Sequence, residues 1–227
     1  MAIQLMVDVD RTPFLERMPA SSRDQILANS TRIRYPAGTI AFQPDDPDRA
    51  DILVSGFARA YVTSSEGRQA TVRYVHPGEL MGGVLVMNAG FDCSVQLVTD
   101  SNVIHLDVAT VRRRVNADPA VASALAGDLA LRYSCTVRCV ALHVFGTVLQ
   151  RVAFDLLERA TRTQISTGRL QANVSHQEIA DGVGSVRQVV TRALADLRKQ
   201  GLIDITHRVI RISNPTALEA IAFAPLA

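Results

Sequence analysis

The chain has 227 residues, of which 48% are hydrophobic and 5% aromatic, and its formal net charge is +2 at pH 7. This length suits two small domains of about 100 residues each. No uncharged apolar run approaches the ~20 residues of a membrane span. No basic segment precedes an apolar stretch as in a signal peptide, and the three cysteines indicate no disulfide framework. We therefore expect a soluble, cytoplasmic protein without a membrane partner.

After a short helical segment at residues 12–30, the first half of the chain has the pattern of a β-domain. From Thr31 to Asp107, short apolar segments are separated by Gly, Pro, Asp and Asn, and such spacing predicts an antiparallel sandwich or barrel. The predicted strands are Ile33–Tyr35, Thr39–Phe42, Ile52–Val54, Ala58–Val62, Ala70–Val75, Val95–Val98 and Val103–Leu106.

A long helix is predicted over Pro119–Phe145, because Pro after Asp118 is a helix start signal and Gly127 is the only glycine before Gly146. Nearly every face of this helix is apolar, so it should be buried on more than one side. Its interior charges are Asp128, Arg132 and Arg138. The same helix of a second copy is the simplest cover, which predicts a homodimer. Burial under the C-terminal domain is the alternative.

A hinge is predicted at Gly146-Thr147. It is followed by a second helix and by a polar stretch, residues 161–173, that is expected to be a loop. The strongest local signals come after this stretch. Ser175–Glu178 is a capping box that starts a short helix, and Gly184 suits a tight turn with positive φ. Ser185–Gln188 is a second capping box that starts another helix, so the two helices form a helix-turn-helix. The apolar stripe of the second helix, its C-terminal glycine and the two strands of a following wing are Val186, Val190, Ala193, Leu194, Leu197, Gly201, Leu202–Ile205 and Val209–Ile212.

The second helix of this motif would lie in the DNA major groove with its N-terminal residues at base edges. Arg187 can bind guanine O6 and N7 through two hydrogen bonds, and Gln188 can pair with adenine. The other candidates, which begin the helix or are better placed for phosphates, are Ser185, Thr191, Arg192, His176 and Lys199. Three alternatives stay open: Gln188 serves its capping box, Arg192 pairs with Asp196 four residues on, and Thr191 is only solvated.

Taken together, these segments resemble the Crp/Fnr family of transcription regulators. The motifs that carry the resemblance are Val54-Ser55-Gly56, Val75–Gly82, the helix after Asp118-Pro119, Val174–Ala180 and Val186–Arg192. The resemblance implies an α+β fold with three parts. These are a double-stranded β-roll (jelly roll) sensor domain over residues 1–117, a dimerisation helix and hinge over 118–146, and a winged helix-turn-helix domain over 147–227.

The same resemblance implies a homodimer on a palindromic site in double-stranded DNA, with two recognition helices about one DNA turn apart. It also implies RNA polymerase as a partner and no enzymatic activity, and it places Arg187, Gln188 and Arg192 against DNA. The family usually has Glu where Gln188 stands. Glu accepts from cytosine whereas Gln prefers adenine, so the half-site should differ from the usual one.

The effector pocket that the resemblance implies comprises Gly82, Gly83, Cys93, Ser94, Thr136 and Val137. Cyclic-nucleotide binders of the family have a Glu for the ribose at the position of Gly83 and an Arg for the phosphate at that of Cys93. Thr136 matches the position that touches the purine, whereas Val137 replaces a hydroxyl. A partly buried anion needs a cationic or multi-donor partner. We therefore expect neither cyclic-nucleotide control nor a cofactor, although the glycine amides leave weak binding open.

Other functions on the same scaffold stay open. A haem sensor would use His76, His105 or His143 as axial ligand, and a thiol-based redox switch would use Cys135 and Cys139. There is no N-terminal cysteine cluster for an iron–sulfur centre. A cupin-type enzyme needs a His-x-His pair with a carboxylate, which the five scattered histidines do not provide, so we expect no enzyme and no metal site. An interaction module that lacks DNA binding is the remaining alternative.

Overall fold

The computed structural model describes residues 12–44, 46, 49–67, 69–87, 89–90, 92–167 and 170–225. These residues belong to two compact units. Of the described residues, the β-unit contains those from Thr12 to Tyr61 and Arg73–Thr136, and the C-terminal unit contains Val62–Val72 and those from Val137 to Pro225. Within the described ranges, no helix combines the length and the apolar character that crossing a membrane requires.

The described residues form helices and strands in the following order along the chain. The helices are α1 (Pro13–Glu16), α2 (Ala20–Ala28), α3 (Gly83–Val86), α4 (Val108–Ala117), α5 (Pro119–Phe145), α6 (Val148–Thr167), α7 (His176–Gly182), α8 (Arg187–Lys199) and α9 (Pro215–Ala222). The strands are β1 (Thr31–Tyr35), β2 (Ile40–Phe42), β3 (Ala50–Ser55), β4 (Ala58–Thr63), β5 (Gln69–Val75), β6 (Leu80–Met81), β7 (Ser94–Leu97), β8 (Ser101–Leu106), β9 (Gln171–Asn173), β10 (Ile203–Thr206) and β11 (Val209–Ile212).

Strands β1 to β8 form two four-stranded sheets, in the orders β1-β8-β3-β6 and β2-β7-β4-β5. The pairings β1–β8, β3–β8, β3–β6, β2–β7 and β4–β7 are antiparallel. Most consecutive strands therefore alternate between the two sheets, as in a jelly roll, and the predicted β-roll is confirmed. The sequence pattern missed β6, because two residues are too short to show a period.

The Val54-Ser55-Gly56 motif lies where β3 turns towards β4. Gly56 has φ +116°, and a Cβ added there would lie 2.0 Å from Ser101 Oγ and 2.8 Å from Ser101 Cα. Because a side chain would collide with the backbone of β8, this turn requires glycine.

The core of the β-unit is mainly aliphatic, in agreement with an aromatic content of only 5%. This core also includes helices that the sequence pattern did not predict as separate elements. The expected helical segment at residues 12–30 is two helices, α1 and α2, with Pro19 as the N-cap of α2. Helix α4, capped by the Asp107 side chain, was not predicted. The core residues come from α1, α2, the β1-β8-β3-β6 sheet, α3, α4 and the start of α5, and include Phe14, Leu15, Ile26, Ile52, Leu80, Ile104, Val111, Val121 and Leu125.

The C-terminal unit contains the predicted helix-turn-helix and wing, with one correction. Residues 161–173 were expected to be a loop, but α6 continues to Thr167 and residues 171–173 form β9, which pairs with β11. Polarity alone does not end a helix, and no Gly or Pro interrupts residues 148–167. The strand order is β10-β11-β9. The hydrophobic core of this unit is formed mainly by the four helices α6, α7, α8 and α9 together with the two strands of the wing. Its residues include Val152, Leu156, Ile179, Val190, Leu194, Leu197, Ile203, Ile210 and Leu218.

Candidate nucleic-acid interface

Helix α7 begins at the predicted capping box. The Glu178 N–H donates to Ser175 Oγ at 3.2 Å, and the Ser175 N–H donates to Glu178 Oε2 at 2.7 Å. Arg208 in the wing turn donates to the same carboxylate at 2.7 Å. Partial burial by itself would raise the pKa of Glu178, but the hydrogen bonds from Ser175 and the charge of Arg208 outweigh it and hold the pKa below its usual value. The ionised carboxylate therefore ties the start of α7 to the wing.

The turn between the two helices has the predicted glycine but not the predicted second capping box. Gly184 has φ +61°, which a side chain would adopt only with strain. Helix α8 starts at Arg187 with Val186 as its N-cap, and among the described residues no side chain caps it. Ser185 therefore lies one residue too early to be the cap, and Gln188 is not the last residue of a box. The capping alternative for Gln188 is wrong for this reason.

Helix α8 is amphipathic about the predicted stripe, apart from its first member. Its buried residues are Val190, Ala193, Leu194 and Leu197. Val186 was assigned to that stripe but is 62% exposed, because it precedes the helix. On the other side, Arg187, Gln188 and Arg192 are exposed. The buried face thus holds α8 against the core and leaves these three side chains at the surface.

The three exposed side chains at the start of α8 have no partner within the described chain. Neither Arg187 nor Gln188 donates a side-chain hydrogen bond to any described residue, and Arg192 makes no ion pair with Asp196 there. The alternative of an Arg192–Asp196 pair is therefore wrong. Two guanidinium groups and one amide are therefore available to donate hydrogen bonds to a ligand.

Two predicted phosphate contacts are linked to each other. The Thr191 hydroxyl donates to the Arg187 carbonyl oxygen at 2.9 Å and lies 2.9 Å from His176 Nδ1. A hydroxyl has one proton to donate, so it accepts from the Nδ1–H of His176. This bond joins α7 to α8 and orients the recognition helix. Ser185 and His176 are half-buried and Lys199 is exposed at the far end of α8; contacts of these residues with DNA stay a prediction.

The six residues of the implied effector pocket stay a prediction, and all of them except Val137 belong to the β-unit. No hydrogen bond or ion pair joins their side chains within the described chain. Burial raises the pKa of the Cys93 thiol to about 11, so it is protonated at neutral pH. A Cβ added at Gly83 would lie 3.0 Å from Leu80 Cδ2 and 3.4 Å from Leu129 Cδ2, so a side chain there meets leucines. Ser94 and Thr136 are half-buried, Gly82 has φ +72° as the N-cap of α3, and Val137 is exposed.

A cluster of charges that the sequence did not predict lies in the β-unit instead. Arg73 of β5 donates to Glu79 Oε2 at 2.7 Å, and Arg132 of α5 contacts the same oxygen. Arg132 also binds both carboxylate oxygens of Asp128, at 2.6 and 3.0 Å. The available signal was the presence of Asp128 and Arg132, four residues apart, in an otherwise apolar helix. We call Arg73, Glu79, Asp128 and Arg132 the charged cluster.

The side-chain contacts of the candidate histidines and cysteines bear on the haem-sensor and redox-switch alternatives. His105 uses both ring nitrogens, with Asp51 at 2.6 Å and the Tyr35 hydroxyl at 2.8 Å. Cys139 is buried with its Sγ 3.2 Å from the Thr71 carbonyl oxygen, whereas Cys135 is exposed. His76 lies against the Phe57 ring, and His143 Nδ1 lies 2.9 Å from the Cys139 carbonyl oxygen. In the described part of the chain, no group of three His, Cys, Asp or Glu residues is arranged to hold a metal ion.

Known proteins share this arrangement. Residues 32–118 match the cyclic nucleotide-binding domain and residues 150–221 match the Crp-like helix-turn-helix domain. The chain is 30% identical over 170 residues to the transcriptional regulator LdrP of Thermus thermophilus, covering 74% of this chain and 84% of LdrP. It is 29% identical over 217 residues to a cyclic AMP receptor protein of the same species, covering 93% and 97%. The crystal structure of a Crp/Fnr-family transcriptional regulator, also from Thermus thermophilus, has a TM-score of 0.70 at 25% identity, over 85% of this chain and 98% of that chain.

Proposed function

The chain belongs to the Crp/Fnr family of transcription regulators, and from that premise we propose that it acts as a homodimer on a palindromic DNA site read by two copies of α8. The helix-turn-helix binds DNA, and the relatives are transcriptional regulators and not enzymes. RNA polymerase is the proposed protein partner and the cytoplasm the proposed location. Residues 117 and 147 are the proposed limits of the sensor and DNA-binding domains.

One observation supports this proposal most directly: Arg187, Gln188 and Arg192 are exposed and free on a helix whose other face is buried. Arginine donates two parallel hydrogen bonds to guanine, and the Gln amide can both donate to and accept from adenine. Side chains at the N-terminal end of a recognition helix reach base edges. The charge and the hydrogen-bond capacity of this surface therefore suit the major groove.

The proposed reading helix is tested by Arg187→Ala. On a site obtained by selection from random duplexes, we expect affinity to fall by about 1–3 kcal/mol, which is roughly 5- to 150-fold, with one base position relaxed. Electrophoretic shift and repeated selection measure both quantities. The matched control is Lys199→Ala at the far end of the same helix, which should weaken all sequences alike and lower the salt slope by about one. An Arg187→Ala protein that selects the same consensus as wild type contradicts the assignment.

Two copies of the chain would meet along α5. One row of its exposed residues is spaced alternately by four and three positions, which is the spacing of a coiled-coil seam. The seam residues are Ala126, Ala130, Tyr133, Val137, Val140 and Val144, and the last four are exposed by 72%, 47%, 44% and 64%. Large apolar side chains in such a row on a helix favour a second copy as their cover.

We further propose that cyclic AMP does not control this protein, although several relatives are named as cAMP-activated. The position of the phosphate-gripping arginine holds Cys93, a neutral thiol. We therefore expect saturating cyclic AMP to change the Tm by less than about 1 °C, because a ligand raises Tm only if it binds the folded state. Differential scanning fluorimetry with 5′-AMP as the matched nucleotide control checks this. A rise of several degrees with cyclic AMP alone would show that the pocket is functional.

A further inference from the structure

The charged cluster has an unusual centre, in which one carboxylate oxygen is shared by two guanidinium groups. Glu79 Oε2 receives Arg73 Nη1 at 2.7 Å and also contacts Arg132 Nη1. The exposed fractions of the three side chains are 23%, 15% and 13%. Paired guanidinium groups at such distances are how proteins hold a carboxylate or a phosphate. The pair thus forms an anion site, and its occupant is a residue of this chain.

The four charges differ in what they connect. Asp128 and Arg132 are four residues apart on α5, so their pair joins α5 to itself. Glu79 lies in the turn between β5 and β6, directly before β6 begins. Its carboxylate contacts Arg73 of β5 and Arg132 of α5, so it links the two strands to α5. Arg73 has no other acidic partner within ion-pair distance in the described residues. Glu79 is therefore the only group of the cluster that links the two arginines across elements.

The position of the cluster relates it to the expected phosphate site. The charge of Arg73 acts on the thiol of Cys93 and favours its ionised form, although burial dominates the pKa there. Arg73, one member of the guanidinium pair, thus lies near enough to influence the residue that replaces the phosphate-gripping arginine. With Glu79 the cluster has two positive and two negative groups, so its formal charge is zero. Without Glu79, one positive charge would be unbalanced in a partly buried place.

We propose that Glu79 is a built-in anion of the β-roll, which occupies the Arg73–Arg132 pair and holds α5 without a diffusible anionic effector. The idea deepens the proposed cAMP-independent function and rests on it. A carboxylate tethered to the chain is present at all times, so the link between β-roll and α5 does not depend on a ligand concentration. The same tether blocks the pair against a competing phosphate or carboxylate.

The test is chemical rescue of the full-length Glu79→Ala protein. Thermal unfolding is followed in sodium chloride, sodium acetate and sodium phosphate at matched ionic strength. We expect the variant to melt below wild type and to regain several degrees in acetate or phosphate, because an added anion binds the vacated pair. Wild type should show only the general stabilisation that excluded salts give any folded protein, so the rescue is the variant's gain in Tm beyond that of wild type in the same salt. Glu79→Ser, whose short side chain also vacates the pair, provides the same readout if Glu79→Ala does not fold.

The matched control is Asp24→Asn, which removes an exposed carboxylate from α2 of the same unit and should show no anion-specific response. The proposal is overturned if neither Glu79 variant gains stability from acetate or phosphate beyond chloride. It is equally overturned if wild type gains as much as the variants, because the pair would then be open to free anions. None of these measurements uses DNA. If wild type does not bind DNA, the proposed function is contradicted, but the anion-rescue result for Glu79 still stands on its own.

Discussion

The Val137→Glu protein is expected to be a monomer that has lost most of its affinity for the full palindromic site. Val137 lies in the middle of the α5 seam and is 47% exposed in the single chain. In the proposed dimer, the seam brings identical residues together, so each substitution would place two carboxylates in an apolar contact. Binding of two half-sites by one dimer multiplies affinity by about 10²- to 10⁴-fold over one half-site. We expect a loss of that order on the palindrome and little change on an isolated half-site.

Sedimentation equilibrium and electrophoretic shift on full and half sites measure the two parts of this expectation. The matched control is Cys135→Glu, which adds the same charge two residues away on the same helix, where the side chain is exposed but lies off the seam. That variant should stay dimeric. A dimeric Val137→Glu protein with unchanged affinity for the palindrome would show that α5 is covered by something other than a second copy.

The second large effect is expected at the Asp155–Arg159 pair within the core of the C-terminal unit. Arg159 Nε donates to Asp155 Oδ2 at 2.7 Å, and the side chains are only 7% and 2% exposed. Asp155→Ala removes the carboxylate that faces a buried guanidinium, and breaking such a pair costs about 3–5 kcal/mol. We expect the free energy of unfolding, measured by urea denaturation, to fall by that amount. The variant should also unfold at a lower temperature than wild type and lose DNA binding as it unfolds.

Two comparisons make this expectation specific. Replacing both residues by apolar ones of similar size, Asp155→Leu with Arg159→Met, should restore most of the loss, because neither charge then remains in the core. Asp100→Ala removes the acidic partner of Arg34 from an exposed pair and should cost no more than about 1 kcal/mol. If the double variant is as unstable as Asp155→Ala, the loss comes from packing and not from the buried charge.

Local signals in the sequence were enough for most of the fold. The seven strands were recognised because Gly, Pro, Asp and Asn separate short apolar segments, and the turn at Gly56 needs a backbone that only glycine adopts easily. The bounds of α5 follow from Asp118-Pro119 and from a stretch that has no further proline, and only one glycine, Gly127, until Gly146. The α7 capping box involves residues three positions apart, so its hydrogen bonds were already specified by neighbouring residues.

Where the same local rules failed, distant contacts decided the outcome. The Ser185–Gln188 box has the right residue types, but α8 starts one residue later, at Arg187, with Val190 as the first residue of its buried stripe. Strand β9 has only three residues and exists because it pairs with β11, some 40 residues further on. The charged cluster takes its four members from β5, the turn after it and α5, and no window of sequence contains them together.

The sequence by itself determined the family and most of the elements, and it identified the side chains that we propose to face DNA, because these depend on residues close together in the chain. Tertiary structure alone decided which polar side chains are already engaged with distant partners: Thr191 with His176, and Glu79 with two arginines. The physical reason is that hydrogen bonds and ion pairs require atoms within about 3 Å of one another, and only folding brings distant segments that close.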